Sequence, residues 1–200
     1  MSFESRCSQP SRQIFFIACF FMLLSTPFSV GSEKQNKSNE RIGSLKASKI
    51  LVLGNSLTLH GPRPDIEWFA NWGMAATAAE NDYVHRLTLA IKNRTKGDLL
   101  LDPADTKGSK GIENIRNIAA VFEVGYRTYE ASKLDRQLQW KADIVIVQCG
   151  ENVPAQDFDA TAFQRALKTL LNDLKAASDP HIFVTENILW SNTGLDDIKK

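Results

Sequence analysis

Short apolar runs alternate along this chain with longer stretches in which apolar positions recur every three or four residues. Ile50-Leu51-Val52-Leu53 is the first such run, and Gly54 stops it abruptly. With no polar alternation, it predicts a strand buried on both faces. The same reading places strands over residues 118–124, 142–149 and 182–185, the second ended by Gly125 and the third by Gly150. Helical spacing predicts helices over 74–92 (Ala75, Ala78, Val84, Leu87, Ile91), 127–140 (Tyr129, Leu134, Leu138) and 160–177 (Phe163, Leu167, Leu170, Leu174). Strands alternating with helices predict an α/β fold with a parallel sheet covered on both faces. Right-handed crossovers bring the carboxyl ends of such strands to one edge, where open α/β sheets bind ligands. Ser56, Gly125 and Asn152 each follow a predicted strand and are expected to converge there.

The ends of the chain and its linkers change the picture. Arg6 and Arg12 precede an apolar run over residues 14–24, which Ser25-Thr26-Pro27 breaks. That run is too short for a transmembrane helix and predicts a secretory signal peptide over 1–31, cleaved after Gly31; a retained anchor is the alternative. Cys19 lies inside the run, so cleavage there, as in a lipoprotein, would leave residues 20–24 exposed. Residues 32–48 are polar and lysine-rich and predict a flexible linker, leaving 49–200 as one domain. Residues 61–72 hold Pro62, Pro64, Trp68, Phe69 and Trp72 and suit a loop over the mouth of a site. Residues 93–114 read as a surface insertion, and 191–200 as a polar exit.

The whole chain has 200 residues, 24 basic and 23 acidic. The leader carries two of the basic residues and one acidic, so the mature chain is neutral. That argues against nucleic acid or a stable association with an anionic membrane. Of three cysteines only Cys149 lies outside the leader, so no intrachain disulfide forms after cleavage. Three scattered histidines and one cysteine offer no metal-ligand spacing, and no Gly-rich phosphate loop follows any strand. No cofactor and no metal are expected.

Gly54-Asn55-Ser56-Leu57 after the first strand, paired with Gly150-Glu151-Asn152 after the third, resembles the SGNH (GDSL-type) hydrolase family. That resemblance implies a flavodoxin-like three-layer α/β/α sandwich and an esterase or carbohydrate deacetylase activity. It carries Ser56 over as nucleophile, with its own N–H, the Asn152 amide and the Gly125 N–H as the oxyanion hole. Each such donor is worth roughly 100- to 1,000-fold in rate. Asn55 stands where the family name has Asp, and Val153 where many members have Asp. Trp72-Gly73-Met74, at the start of the predicted first helix, suits a shaped pocket.

The family's base is a His three residues after an Asp, near the C-terminus and beyond a fifth strand. Neither that block, nor the strand, nor the final helix is found before Lys200, so a fragment with little activity is expected. Asp82-Tyr83-Val84-His85 has the spacing, but in a helix begun at residue 74 it lies two turns along and reads as a packing contact. His60 lies near the crevice without an evident carboxylate partner, and His181 precedes the fourth strand, at the opposite edge. Glu151 and Glu186, near strand ends, suit either substrate contact or a solvated rim. Trp68 and Trp72 suit either stacking on a sugar ring or packing as a lid. The expected function is an exported serine esterase acting on a small-molecule or carbohydrate O-acyl ester, with acetyl favoured. The alternative is a non-catalytic glycan- or acyl-binding module on the same fold.

Overall fold

The computed structural model describes residues 40–95 and 115–186, which fall within one compact unit, Lys37–Lys200. The expected leader, most of the expected insertion and the polar exit lie outside the described residues. Arg41–Ile42 (β1) and Leu45–Lys46 (β2) pair antiparallel across a turn at Gly43, whose φ of 58° suits glycine. The hairpin lies where a flexible linker is expected. It is held because Ala47 is fully buried and the Asp143 carboxylate accepts from Ser48 N–H, Lys49 N–H and Lys46 Nζ at 2.9–3.0 Å.

Ile50–Gly54 (β3) follows, then Tyr83–Thr95 (α1), Ile115–Asn117 (β4), Asp135–Gln139 (α2), Ile144–Val147 (β5), Ala160–Ser178 (α3) and His181–Val184 (β6). The four strands β4-β3-β5-β6 form one parallel sheet in that order. Alternate residues of the two central strands serve opposite faces. Leu51, Leu53, Val145 and Val147 pack with Phe163, Leu167, Leu170 and Leu174 of α3. Ile50, Val52, Ile144 and Ile146 pack with Val84 and Ile91 of α1. Each such side chain contributes about 1.5–3 kcal/mol through burial. The architecture is therefore α/β with a parallel sheet and helices on both faces. Among the described residues no helix is long and apolar enough to cross a membrane.

Local chemistry sets the helix ends. The Asp159 side chain accepts from Ala162 N–H at 2.9 Å and starts α3, which ends at Asp179 in the left-handed region ahead of Pro180. Asp82 likewise accepts from His85 N–H at 2.7 Å, so α1 starts at Tyr83 rather than residue 74. The alanines of residues 75–79 recur at helical spacing but bury little, and the Met74 N–H is spent on the Ser56 carbonyl at 2.9 Å.

Two further expectations are corrected. The second strand is Ile115–Asn117, and residues 119–123 instead form a π turn, with the Val124 N–H donating to the Ala119 carbonyl at 2.8 Å. The run Ile118-Ala119-Ala120-Val121-Phe122 is as apolar as a strand, but the wider turn buries Phe122 and Glu123 together. The expected helix over 127–140 is broken at Tyr129 and Glu130, whose extended backbone separates two 3-10 turns (Tyr126–Thr128 and Ala131–Leu134) that precede α2. Tyr126 and Leu134, both buried, anchor those turns on the core.

Gly54 is required by crowding rather than by dihedral freedom. A Cβ there would lie 1.7 Å from Thr58 Oγ1 and 3.0 Å from Gln148 Oε1. Gly54→Ala is expected to lower stability by about 1–3 kcal/mol, the usual range for overpacking, read as a reduced urea midpoint with unchanged slope.

Candidate functional site

The carboxyl ends of the strands carry a buried polar layer on top of an apolar sheet. Its centre is Glu123, delivered by the π turn after β4 and fully buried. Glu123 Oε1 accepts from Asn55 Nδ2 at 3.1 Å and from the Gly150 N–H, and Oε2 accepts from Asn152 Nδ2 at 2.7 Å. Every contact is a donor, so an ionised carboxylate satisfies the cluster. One side chain thus ties the turns after β3 and β5 to the turn after β4.

Asn55 is saturated in return. Its second Nδ2 contact is Glu151 Oε2 at 2.7 Å, and its Oδ1 accepts from Leu57 N–H at 3.0 Å, closing an Asx turn around Ser56. Gln148, also fully buried, accepts on Oε1 from Asn55 N–H at 3.2 Å and Thr58 Oγ1 at 3.0 Å, and donates from Nε2 to Glu151 at 2.7 Å. Thr58 Oγ1 also shares a 2.6 Å hydrogen bond with the Tyr83 hydroxyl. Burial pushes the Tyr83 phenol up to about 12, with the charges of Asp82 and Glu151 adding to the effect. The φ of 138° at Gly150 lets the chain turn sharply enough to aim its N–H at Glu123.

Ser56, half-buried, opens the turn past β3; Asn152, exposed, lies past β5. Leu53 and Val147 are register partners in adjacent parallel strands, so both residues leave the same sheet edge. Among the described residues none accepts from the Ser56 N–H or bonds its hydroxyl. Gly125 is not brought to a strand end. It follows the π turn, and its carbonyl accepts from Thr128 N–H at 2.9 Å. Directly past β4 stands Ile118, whose N–H donates to the Gly54 carbonyl at 2.6 Å, and Ala119 N–H is spent on Asn117 Oδ1 at 3.0 Å.

The histidines are placed as follows. His85 Nδ1 donates to Asp82 Oδ2 at 2.7 Å, in the first turn of α1 rather than two turns along. Asp82 is buried and lies 3.4 Å from the Gly73 N–H, on the segment whose next residue bonds Ser56. His60 Nδ1 meets the Gly61 carbonyl at 2.6 Å, and His181 opens β6 at the opposite edge of the sheet. None of the three bonds Ser56. Trp68 and Trp72 meet edge to face at 5.7 Å between ring centres, and their indole N–H groups are spent on the His60 and Ala76 carbonyls. They stitch the loop together, while Phe69 at 71% and Ile66 at 51% exposure stand out from it. No cluster of potential metal ligands occurs among the described residues.

Sequence reasoning missed Glu123 and Gln148. Each was legible as one polar residue inside or at the end of an apolar run, an expensive place unless the group is hydrogen-bonded. Compared with family models, curated proteins and solved structures, the chain matches none of them.

Two outcomes follow from this polar layer. Asn55→Asp would place a third carboxylate against Glu123 and Glu151. It is expected to cost about 3–5 kcal/mol, more than Asn55→Ala, in denaturant unfolding. Tyr83 binds its proton more tightly folded than unfolded. Its contribution is therefore complete below pH 10 and declines as pH rises toward about 12. Tyr83→Phe should remove that part of the alkaline loss and one phenol from the late amplitude of an ultraviolet titration, leaving Tyr129, which burial and the Asp173 charge also push up.

Proposed function

We propose that this chain is an exported serine ester hydrolase of the SGNH type, acting on O-acyl groups, acetyl above all, of a carbohydrate or small molecule. The observation that carries the reading is the tie between the Ser56 turn and Asn152, through Asn55 and the buried carboxylate of Glu123. A flavodoxin-like three-layer sandwich is the finer fold that this reading assigns to the sheet and its two helical faces. Export rests on the basic, apolar and small-residue order of residues 1–31.

In this mechanism the Ser56 hydroxyl adds to the ester carbonyl and its proton passes to a base. The carbonyl oxygen becomes an oxyanion, which the Ser56 N–H and the second Asn152 N–H meet. Gly125 has no part in the hole, because a residue beyond the π turn does not follow a strand end. The tetrahedral species collapses with loss of the alcohol, and water then releases the acid from Ser56. His60 and His85 are the histidines at the right edge to be examined as base, His85 already oriented by Asp82 as a base requires. Trp68, Trp72 and Phe69 would border the alcohol half.

A second reading, a glycan- or acyl-binding module without catalysis, is favoured by the lack of a bond between Ser56 and any of the three histidines. Treatment of the full chain with a fluorophosphonate probe separates the two. Labelling that Ser56→Ala abolishes is the expected outcome. His60→Ala and His85→Ala then identify the base by a loss of several orders of magnitude. A folded chain that stays unlabelled overturns the esterase and leaves the binding module.

A further inference from the structure

We infer that Glu123 is a positioning residue, whose buried carboxylate holds the Asn152 amide in the one orientation that turns an N–H toward the Ser56 crevice. The use of that amide as an oxyanion donor rests on the esterase reading; the orientation itself does not.

Asn152 is exposed and follows a glycine-opened turn, so nothing about its own position selects a rotamer or tells its amide oxygen from its nitrogen. Glu123 selects both. A carboxylate accepts and does not donate, so the amide must present Nδ2 to Oε2, at 2.7 Å, and keep Oδ1 away. One amide hydrogen is then spent, and the other, fixed by the planarity of the group, projects away from the carboxylate. Asn55 Nδ2 and the Gly150 N–H hold Oε1, so the carboxylate cannot rotate with the amide. The same Oε1 contact secures the residue before Ser56. Donor and nucleophile are therefore set from a single anchor, as a preorganised site requires.

The charge on Glu123 makes this role testable. A negative charge behind the hole opposes the oxyanion, so neutralising it would speed the reaction if the field were what mattered. If orientation matters, neutralisation slows it. Glu123→Gln keeps the size but leaves one acceptor oxygen for three donors. With that oxygen held by the Asn55 and Gly150 N–H groups, its N–H₂ faces Asn152, which must turn Oδ1 toward it and give up the parent orientation. Glu123→Asp keeps the charge and withdraws it by one methylene, and it carries the test should the glutamine variant fail to fold by circular dichroism.

Two measurements on the full chain decide the matter. The first is proton exchange of the Asn152 side-chain amide by ¹⁵N NMR, its signals identified by their loss in Asn152→Ala. We expect slow exchange in the parent chain and at least about tenfold faster exchange in the Glu123 variants, with backbone signals of the core unchanged; equal exchange overturns the inference. The second is the rate of fluorophosphonate labelling at Ser56. Asn152→Ala is expected to slow it by about 100-fold, the scale of one lost donor, Glu123→Gln by at least as much because it also loosens the Ser56 turn, and the double variant no further than Glu123→Gln. Unchanged or faster labelling of Glu123→Gln, or losses that multiply, overturns it. If the parent chain is not labelled at all, the esterase reading fails, and the amide exchange by itself decides whether Glu123 orients Asn152.

Discussion

A carboxylate with no exposure to water must be met by donors, and at Glu123 those donors come from separate loops. Asn55 lies past β3, and Gly150 and Asn152 lie past β5, while Glu123 itself comes from the turn after β4. Stripping the water from such a group costs several kcal/mol, which its hydrogen bonds must offset. Moving any one loop therefore leaves a buried charge short of a partner. This constraint joins turns that are far apart in the chain and makes the carboxyl edge of the sheet a single polar unit.

The unit extends outward from there. Gln148 couples β5 to Asn55 and Thr58, and Thr58 reaches Tyr83 at the start of α1. Asp82, beside Tyr83, caps the helix, orients His85 and faces Gly73, where a Cβ would lie 2.1 Å from the Leu57 carbonyl. The Trp68–Trp72 loop is attached to Ser56 through Met74, two residues further on. Below this layer the two central strands are Ile, Leu and Val up to Gly54. A dry core beneath a polar rim hydrogen-bonded across three loops leaves few arrangements for the turns that carry Ser56 and Asn152, and this preorganisation is what the proposed chemistry calls for.

Much of the frame was readable from residue order. β3 and β5 were legible because they are buried on both faces and stopped by glycine. α3 was legible because Phe163, Leu167, Leu170 and Leu174 recur as one stripe at helical spacing. The start of α1 was misplaced because alanines at helical spacing bury too little to nucleate a helix, whereas a capping carboxylate at Asp82 does set one. The run 118–124 reads as a strand because apolar content alone does not separate a strand from a π turn. For the same reason Gly125 reads as following a strand end that belongs to Asn117. The linker expected over 32–48 for its polar composition is instead tied down within its described part, where Ala47 and Ser48 are buried.

Residue order suffices for the alternation of strands and helices, the two-faced burial of the central strands and the edge on which Ser56 and Asn152 lie. Each follows from periodicity and from the handedness of parallel crossovers, which are local or topological rules. Which groups meet at that edge is settled by folding alone. A hydrogen bond depends on distance in space, and Asn55, Glu123 and Asn152 stand tens of residues apart, joined by one turn whose pitch no local pattern announces. That is why the asparagine at position 55 looks like a mild substitution in the chain and, once folded, is a neutral group whose two N–H bonds serve both Glu123 and Glu151.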